Sequence, residues 1–454
     1  MPTRLRRRSL PLLCALVALA AGADSASASN AQRQVHYRGQ IVKVPASWPV
    51  YRIAAEPSRC IRLDRKAVYL GRPSTGQRCP AHAVGRPRAL VIEPAGGGVR
   101  RVSAGELSAA APTHRALRRA PRATGSASGA YFSGLGFDAC SAPPVTTMTA
   151  WLSSPYRAIG VYIGGANRGC SQPNLTSTWV ATQIAAGWHL IPTYVGPQAP
   201  SNGCGCSAIK PNQAAAQGSA AADDAVLQAT SLGIGLGNPI YFDMEGYSRT
   251  STNSSAVLTF LDAWTERLHQ RGYVSGVYGS AGSTIADLVA QYQLGLSEPD
   301  DVWIAHYDGL QTTSDSYVPS TYWANHQRLR QYRGGHKETW GGVSLNVDND
   351  YLDGAVVGAV SKPVKTIRCR KVVFDHRPVS SAFKIRGYNV TRCAKARKIA
   401  AATRNSDFAA TGRSRAYTKK GFSCLGRRVG AARVSYKCRL ASAKVLFVRQ
   451  GASH

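Results

Sequence analysis

Between residues 131 and 360, short apolar runs alternate with longer segments of mixed polarity. The runs predict strands at 134–137, 159–163, 190–194, 240–242, 275–278, 302–305, 329–332 and 345–347. Helices are predicted at 176–186, 214–232, 256–270 and 283–293, and the later connections are poorer in helix. Eight strands with crossovers imply an α/β fold, a (β/α)8 TIM-like barrel, although a doubly wound open sheet gives a similar early pattern. The flanks differ. Residues 41–45 and 90–93 predict short strands in a small N-terminal domain at 32–108, and a polar stretch rich in Ala and Arg at 109–130 reads as a linker. A C-terminal domain at 363–454 carries a predicted helix at 394–402 and a strand at 444–448. The barrel is therefore expected between two small disulfide-containing domains, α+β or β-rich.

The first residues change the compartment. Arg4, Arg6, Arg7 and Arg8 precede an apolar stretch at 10–21 and the small residues Ala26-Ser27-Ala28, which predicts a signal peptide at 1–28. The stretch is too short to span a membrane and no later segment is long and apolar enough, so a secreted or cell-wall-associated protein is expected. Cleavage removes Cys14 from the 11 cysteines. The rest fall in groups of two, four and four, which in an exported chain suggests disulfides. Cys60 and Cys79 can close one loop, and locality favours Cys369–Cys393 and Cys424–Cys438. A Cys140–Cys170 bridge would pin two adjacent loops. Cys204 and Cys206 pair with each other or exchange partners with that bridge. No second close-spaced Cys or His pair follows Cys204-Gly205-Cys206, so no metal is expected there.

Charge separates the regions. The formal net charge is +32, yet residues 130–360 hold 10 basic and 17 acidic side chains while residues 361–454 hold 24 and 2. A mildly acidic centre lies between basic flanks, which fits a cell-wall polysaccharide or other anionic envelope polymer as partner. The C-terminal domain lacks a stripe of aromatics among its basic residues, so nucleic acid ranks last as a partner. The protein is expected to be a monomer without cofactor.

The placement of the acids carries the chemistry. Asp138 follows the first predicted strand, Asp243 and Glu245 end the fourth, and Asp348 and Asp350 end the last. In a parallel barrel all C-terminal strand ends open on one face, where active sites lie. Asp243 and Glu245, two apart on a strand, point the same way. Close carboxyls cannot easily both ionise, which makes one a general acid near neutral pH. Glycoside cleavage uses such an acid with a second carboxylate. Glu245, with the longer side chain, is expected to donate the proton, and Asp243 to orient it or support a substrate N-acetyl group. Tyr162, Tyr194, Gln198, Tyr278, Trp303, His306, Tyr307 and Gln331 decorate the same strand ends. Aromatic faces and amides suit the apolar faces and polar edges of a sugar. Asp350 joins this substrate-binding set.

Gly136-Phe137-Asp138-Ala139-Cys140-Ser141-Ala142-Pro143, Tyr162-Ile163-Gly164-Gly165, the segment from Gly187 to Gly196, and Tyr241-Phe242-Asp243-Met244-Glu245 resemble the glycoside-hydrolase-like family of exported actinobacterial proteins (domain of unknown function 1906). That family is a β/α barrel related to the family 25 glycoside hydrolases, the muramidases. The resemblance spans about residues 133–356. It implies a cleft with Asp138, Asp243, Glu245 and Asp348, in which Glu245 donates the proton. The leading expectation is a secreted glycoside hydrolase cutting a peptidoglycan-like wall glycan. The alternative is a non-catalytic glycan-binding or envelope-remodelling protein. A phosphodiesterase using the strand-end acids as metal ligands is disfavoured by the scarcity of histidines near Asp138, Asp243 and Asp348.

Overall fold

The computed structural model describes residues 31–102, 130–294, 298–358, 367–370, 372–374, 380–388, 393–401, 415–419, 422–430, 433–440 and 443–450. The expected signal peptide lies outside them, as does the expected linker apart from Ala130. The chain forms two units, 1–48 and 49–454. In the first, β1 (Gln32–Tyr37) and β2 (Gln40–Pro45) make an antiparallel hairpin. Arg38 and Gly39 turn it, both at positive φ (47° and 72°), as a two-residue hairpin loop requires.

The second unit begins with a four-stranded sheet of β3 (Val50–Arg52), β4 (Val68–Leu70), β5 (Leu90–Ala95) and β6 (Gly98–Val102), in that order. The pairings β3–β4 and β4–β5 are parallel, and β5–β6 is antiparallel. Ile53, Ile61, Leu63, Tyr69, Val91 and Val102 pack as its core. The excursion between β4 and β5 carries Cys79 and His82.

The barrel reading holds. Eight strands close on themselves: β7 (Ala130–Asp138), β8 (Ala158–Gly164), β9 (His189–Tyr194), β10 (Pro239–Met244), β11 (Val274–Ser280), β12 (Asp301–Ala305), β13 (Arg328–Trp340) and β14 (Val343–Val356). Helices α1 (Val145–Ala150), α2 (Ser177–Ala185), α3 (Ala214–Ser231), α4 (Ser251–Arg271) and α5 (Ala286–Leu294) connect them. Alternation sorts the side chains. Ala158, Ile191, Tyr241, Tyr278, Trp303, Leu329 and Leu352 fill the interior. Ile159, Leu190, Ile240, Phe242, Val277 and Val302 face the helices. The pair α3 and α4 packs closely because Gly218 has no Cβ, which would lie 2.2 Å from the Phe260 carbonyl.

One strand departs from the parallel expectation. β14 runs antiparallel to both β13 and β7. The connection from β13 is only Gly341-Gly342, both at positive φ, and so short a link can only make a hairpin. Asp348 and Asp350 therefore lie inside β14 rather than at its end. They still reach the mouth, because the first half of an antiparallel strand lies where parallel strands finish. Asp348 is registered beside Asp138, and Asp350 beside Gly136.

C-terminal to the barrel, β15 (Ile367–Cys369), β16 (Val372–Phe374), β17 (Ser380–Tyr388), β18 (Arg415–Lys419), β19 (Phe422–Gly430), β20 (Arg433–Leu440) and β21 (Ala443–Gln450) form an antiparallel sheet with helix α6 (Cys393–Ala401). Disulfides join Cys60–Cys79, Cys140–Cys170, Cys204–Cys206 and Cys369–Cys393. Cys438 is also disulfide-bonded, and Cys424 is its register neighbour. Among the described residues no helix is long and apolar enough to cross a membrane.

Candidate active site

Inward positions of the strands converge four buried acids on the barrel mouth: Asp138, Asp243, Asp348 and Asp350 are each 3% exposed or less. Glu245, just beyond β10, joins them with its side chain 27% exposed. Space for Asp138 comes from Gly160 on β8, where a Cβ would lie 2.5 Å from the Asp138 Cβ. Asp138 accepts hydrogen bonds from the Tyr162 hydroxyl at 3.1 Å and the Gln331 amide at 2.6 Å. The Gln331 carbonyl accepts in turn from the hydroxyls of Tyr278 and Tyr307, both at 2.8 Å. Asp350 accepts from the Trp303 indole at 2.9 Å.

The decisive neighbour comes from outside the barrel. His82 places Nε2 2.7 Å from Glu245 Oε1 and Nδ1 2.6 Å from the Tyr162 hydroxyl. As an imidazolium it donates both ways, and Tyr162 passes the second contact on to Asp138. Nothing in the sequence spacing ties His82 to the barrel, and the scarcity of histidines near these acids was only a scarcity in sequence. The nearest signal is Cys79, whose bridge to Cys60 anchors the segment.

Burial and charge set the protons. Burial alone would lower the His82 pKa, but the charge and hydrogen bond of Glu245, with Asp243 and Asp138 behind, push it up to about 10. Burial raises Glu245, but the His82 charge and hydrogen bond outweigh it and hold that carboxyl below its ordinary range. Asp243 goes the other way. Burial and then the Glu245 charge push it well above the carboxylate range. Its oxygens meet no N–H or O–H donor among the described residues. They face Glu245, and burial together with that neighbouring charge favours the protonated form of Asp243. Burial raises Asp138 to about 6, moderated by His82, Gln331 and Tyr162, and raises Asp348 to about 8, reinforced by Asp138. Asp350 is pushed well up by burial and by Asp138.

Beside Glu245 opens a cavity of about 440 Å³, lined by Glu245, Tyr278, Ser280, His306, Tyr307 and Tyr317 among others. Tyr307 is 60% and Tyr317 46% exposed. His306 is held by Asp315 at 2.9 Å and meets Tyr317 edge-on.

Several expected substrate contacts lie elsewhere. Tyr194 follows the inward Thr193, so it points to the helices, donates to Asp224 at 2.6 Å and stacks on Trp264. Gln198 is wholly buried under β10: its amide donates to the Asp243 carbonyl at 2.8 Å, and its carbonyl accepts from the Glu245 N–H at 2.7 Å. Both bonds fall on the backbone that carries the two acids. Trp303 and Asp350 are bonded to each other in the barrel interior and are closed to solvent. Tyr162, Tyr278, His306 and Gln331 do join the cluster, Gln331 from beneath.

Metal-ligand geometry exists at the same atoms. His82, Asp243 and Glu245 bring ligand atoms within 4.8 Å of one another, as do His82, Asp138 and Asp348. In the first set, His82 and Glu245 are hydrogen-bonded directly to each other.

Residues 149–352 match the family profile described as Rv2525c-like, glycoside hydrolase-like domain. No curated protein matches the chain. Among solved structures, an uncharacterized protein of B. stearothermophilus is similar at 18% identity, over 48% of this chain and 95% of that one, with a TM-score of 0.34. The Tat-secreted protein Rv2525c of Mycobacterium tuberculosis is similar at 16% identity, over 49% and 96%, with a TM-score of 0.35. The spore cortex lytic enzyme SleM of Clostridium perfringens is similar at 12% identity, over 70% and 97%, with a TM-score of 0.36. By this match, residues 149–352 are similar to the Rv2525c-like, glycoside hydrolase-like domain.

Proposed function

We propose that the barrel is a glycoside hydrolase acting on a peptidoglycan-like wall glycan by carboxylate acid–base chemistry. The observation that carries this is the adjacency of the Asp243 and Glu245 carboxyls, poised to share one proton, with Glu245 alone of the two lining the open cavity. Cleavage requires a proton on the leaving oxygen and negative charge near the oxocarbenium-like centre. With the shared proton on Glu245, that residue protonates the leaving oxygen. Asp243 holds the proton between turnovers and supports a substrate N-acetyl group. Asp138, ionised above about pH 6, and Asp348, protonated up to about 8, complete the charge pattern. Tyr307 and Tyr317 offer sugar-stacking faces, with Tyr162, Tyr278 and His306 for hydroxyls. The disulfides fit an oxidising, exported location, and the basic flanks would hold a monomer on the anionic envelope.

One observation favours a second reading, a glycan-binding protein without turnover. A carboxylate paired to His82 is a poor proton donor. Incubation of the mature chain and its Glu245→Gln variant with purified peptidoglycan, measuring new reducing ends, separates the two. Release by the wild type, reduced by about 10²–10⁴-fold in the variant, is expected. No release from peptidoglycan or other wall glycans, with binding kept, would favour the second reading.

A further inference from the structure

A strap of residues 77–85 covers one side of the barrel mouth. At Cys79 and Ala81 it lies beside the β13–β14 hairpin, where the Asn346 amide donates to the Cys79 carbonyl at 2.8 Å and Ala81 lies against Gly335. His82 then enters between Glu245 and Tyr162. Beyond it, the Gly169 N–H donates to the Ala83 carbonyl at 2.9 Å and the Gly85 N–H to the Asn167 carbonyl at 3.0 Å, both on the loop after β8. Gln77 donates to Ser141 Oγ at 2.9 Å and to the Ser171 carbonyl at 3.0 Å. The Cys60–Cys79 bridge abuts Cys140–Cys170, with 3.9 Å between Cys60 Sγ and Cys170 Sγ. Backbone contact is so close that a Cβ on Gly169 would lie 2.2 Å from the Ala83 carbonyl oxygen. A segment fastened at both ends, by backbone, side chains and a disulfide, is a fixed wall.

The open cavity lies opposite, beyond the ends of β10, β11 and β12. A groove crossing the mouth can run from Glu245 over those strands, but the strap bars it from continuing over β14, β7 and β8. A polysaccharide cut at an internal bond needs room on both sides of that bond. A groove walled on one side holds a chain end there.

We propose that the strap makes this a chain-end site. The terminal unit of a wall glycan abuts His82 and Tyr162, and the rest of the chain leaves over Tyr278, His306 and Tyr317. This rests on the glycosidase reading. The glycosidic bond breaks, the leaving oxygen takes the proton from Glu245, and water supplies hydroxyl to the anomeric carbon and a proton back to the pair, so no co-reactant is needed.

The test uses the full mature chain and soluble peptidoglycan strands of uniform length, with products sized from the first minutes. Only the smallest products are expected early, while the strands shorten gradually. Early mid-length fragments would overturn the chain-end site and leave the hydrolase reading standing. If no bond is cut, that reading falls, and binding of short oligosaccharides with one or the other end blocked decides the inference. Loss of about tenfold or more in affinity on blocking one end supports it. Equal affinity for blocked and free forms overturns it, and no binding at all overturns both.

Discussion

His82 Nε2 lies 2.7 Å from Glu245 Oε1, so an imidazole from outside the barrel is paired to the carboxyl that lines the cavity. Removing it changes more than a contact. In a His82→Ala variant Glu245 keeps its burial and its Asp243 neighbour but loses the charge that holds it low. Protonating the second carboxyl of the pair then becomes easier, and losing the shared proton harder. Both limbs of the kcat/KM profile against pH are expected to move to higher pH. A lower rate with an unmoved profile would mean that His82 only braces the strap.

The same groups set a pH dependence of stability. His82 rises from 6.5 to about 10, Asp138 from 3.8 to about 6, and Asp348 from 3.8 to about 8. In all three the folded pKa is raised, so the native state binds more protons than the unfolded one. Their contribution is complete below the unfolded values and is lost as pH climbs through the folded ones. Glu245, depressed, has the opposite sign, but its contribution is lost only as pH falls below the ordinary carboxylate range. Calorimetry between pH 5 and 9 is expected to give a Tm that falls with rising pH, with a shallower slope in Asp348→Asn. A flat or rising Tm would show that these groups do not titrate as their burial implies.

What the sequence made legible follows from periodicity. Short apolar runs exposed the eight strands, and their C-terminal ends brought Asp138, Asp243 and Glu245 to one mouth, with the last two on one face because a strand has a period of two. Parity also explains the error at Tyr194, which looks like a strand-end aromatic until the inward set of β9 is recognised as Ile191 and Thr193. The reversal of β14 was hidden because its hairpin with β13 runs through the polar stretch Arg333–Glu338, which carries little apolar alternation. His82 was hidden for a different reason. It reaches Glu245 across 163 residues of sequence, through a segment whose position is set by disulfides and backbone contacts.

Gln198 offers a test of how the acids are held. Its single amide grips the carbonyl of Asp243 and the N–H of Glu245, two residues apart, and also donates to the Gly196 carbonyl at 3.1 Å. Substitution by Leu keeps most of the volume but removes every one of these bonds. The Glu245 N–H left unpaired in a buried place is expected to cost about 1–3 kcal/mol of stability, read as a shift in the urea midpoint. Both carboxyls would lose their fixed separation, so kcat should fall further than the affinity for glycan. Equal losses in binding and turnover would return Gln198 to the role of a sugar contact, and unchanged stability would remove the clamp altogether.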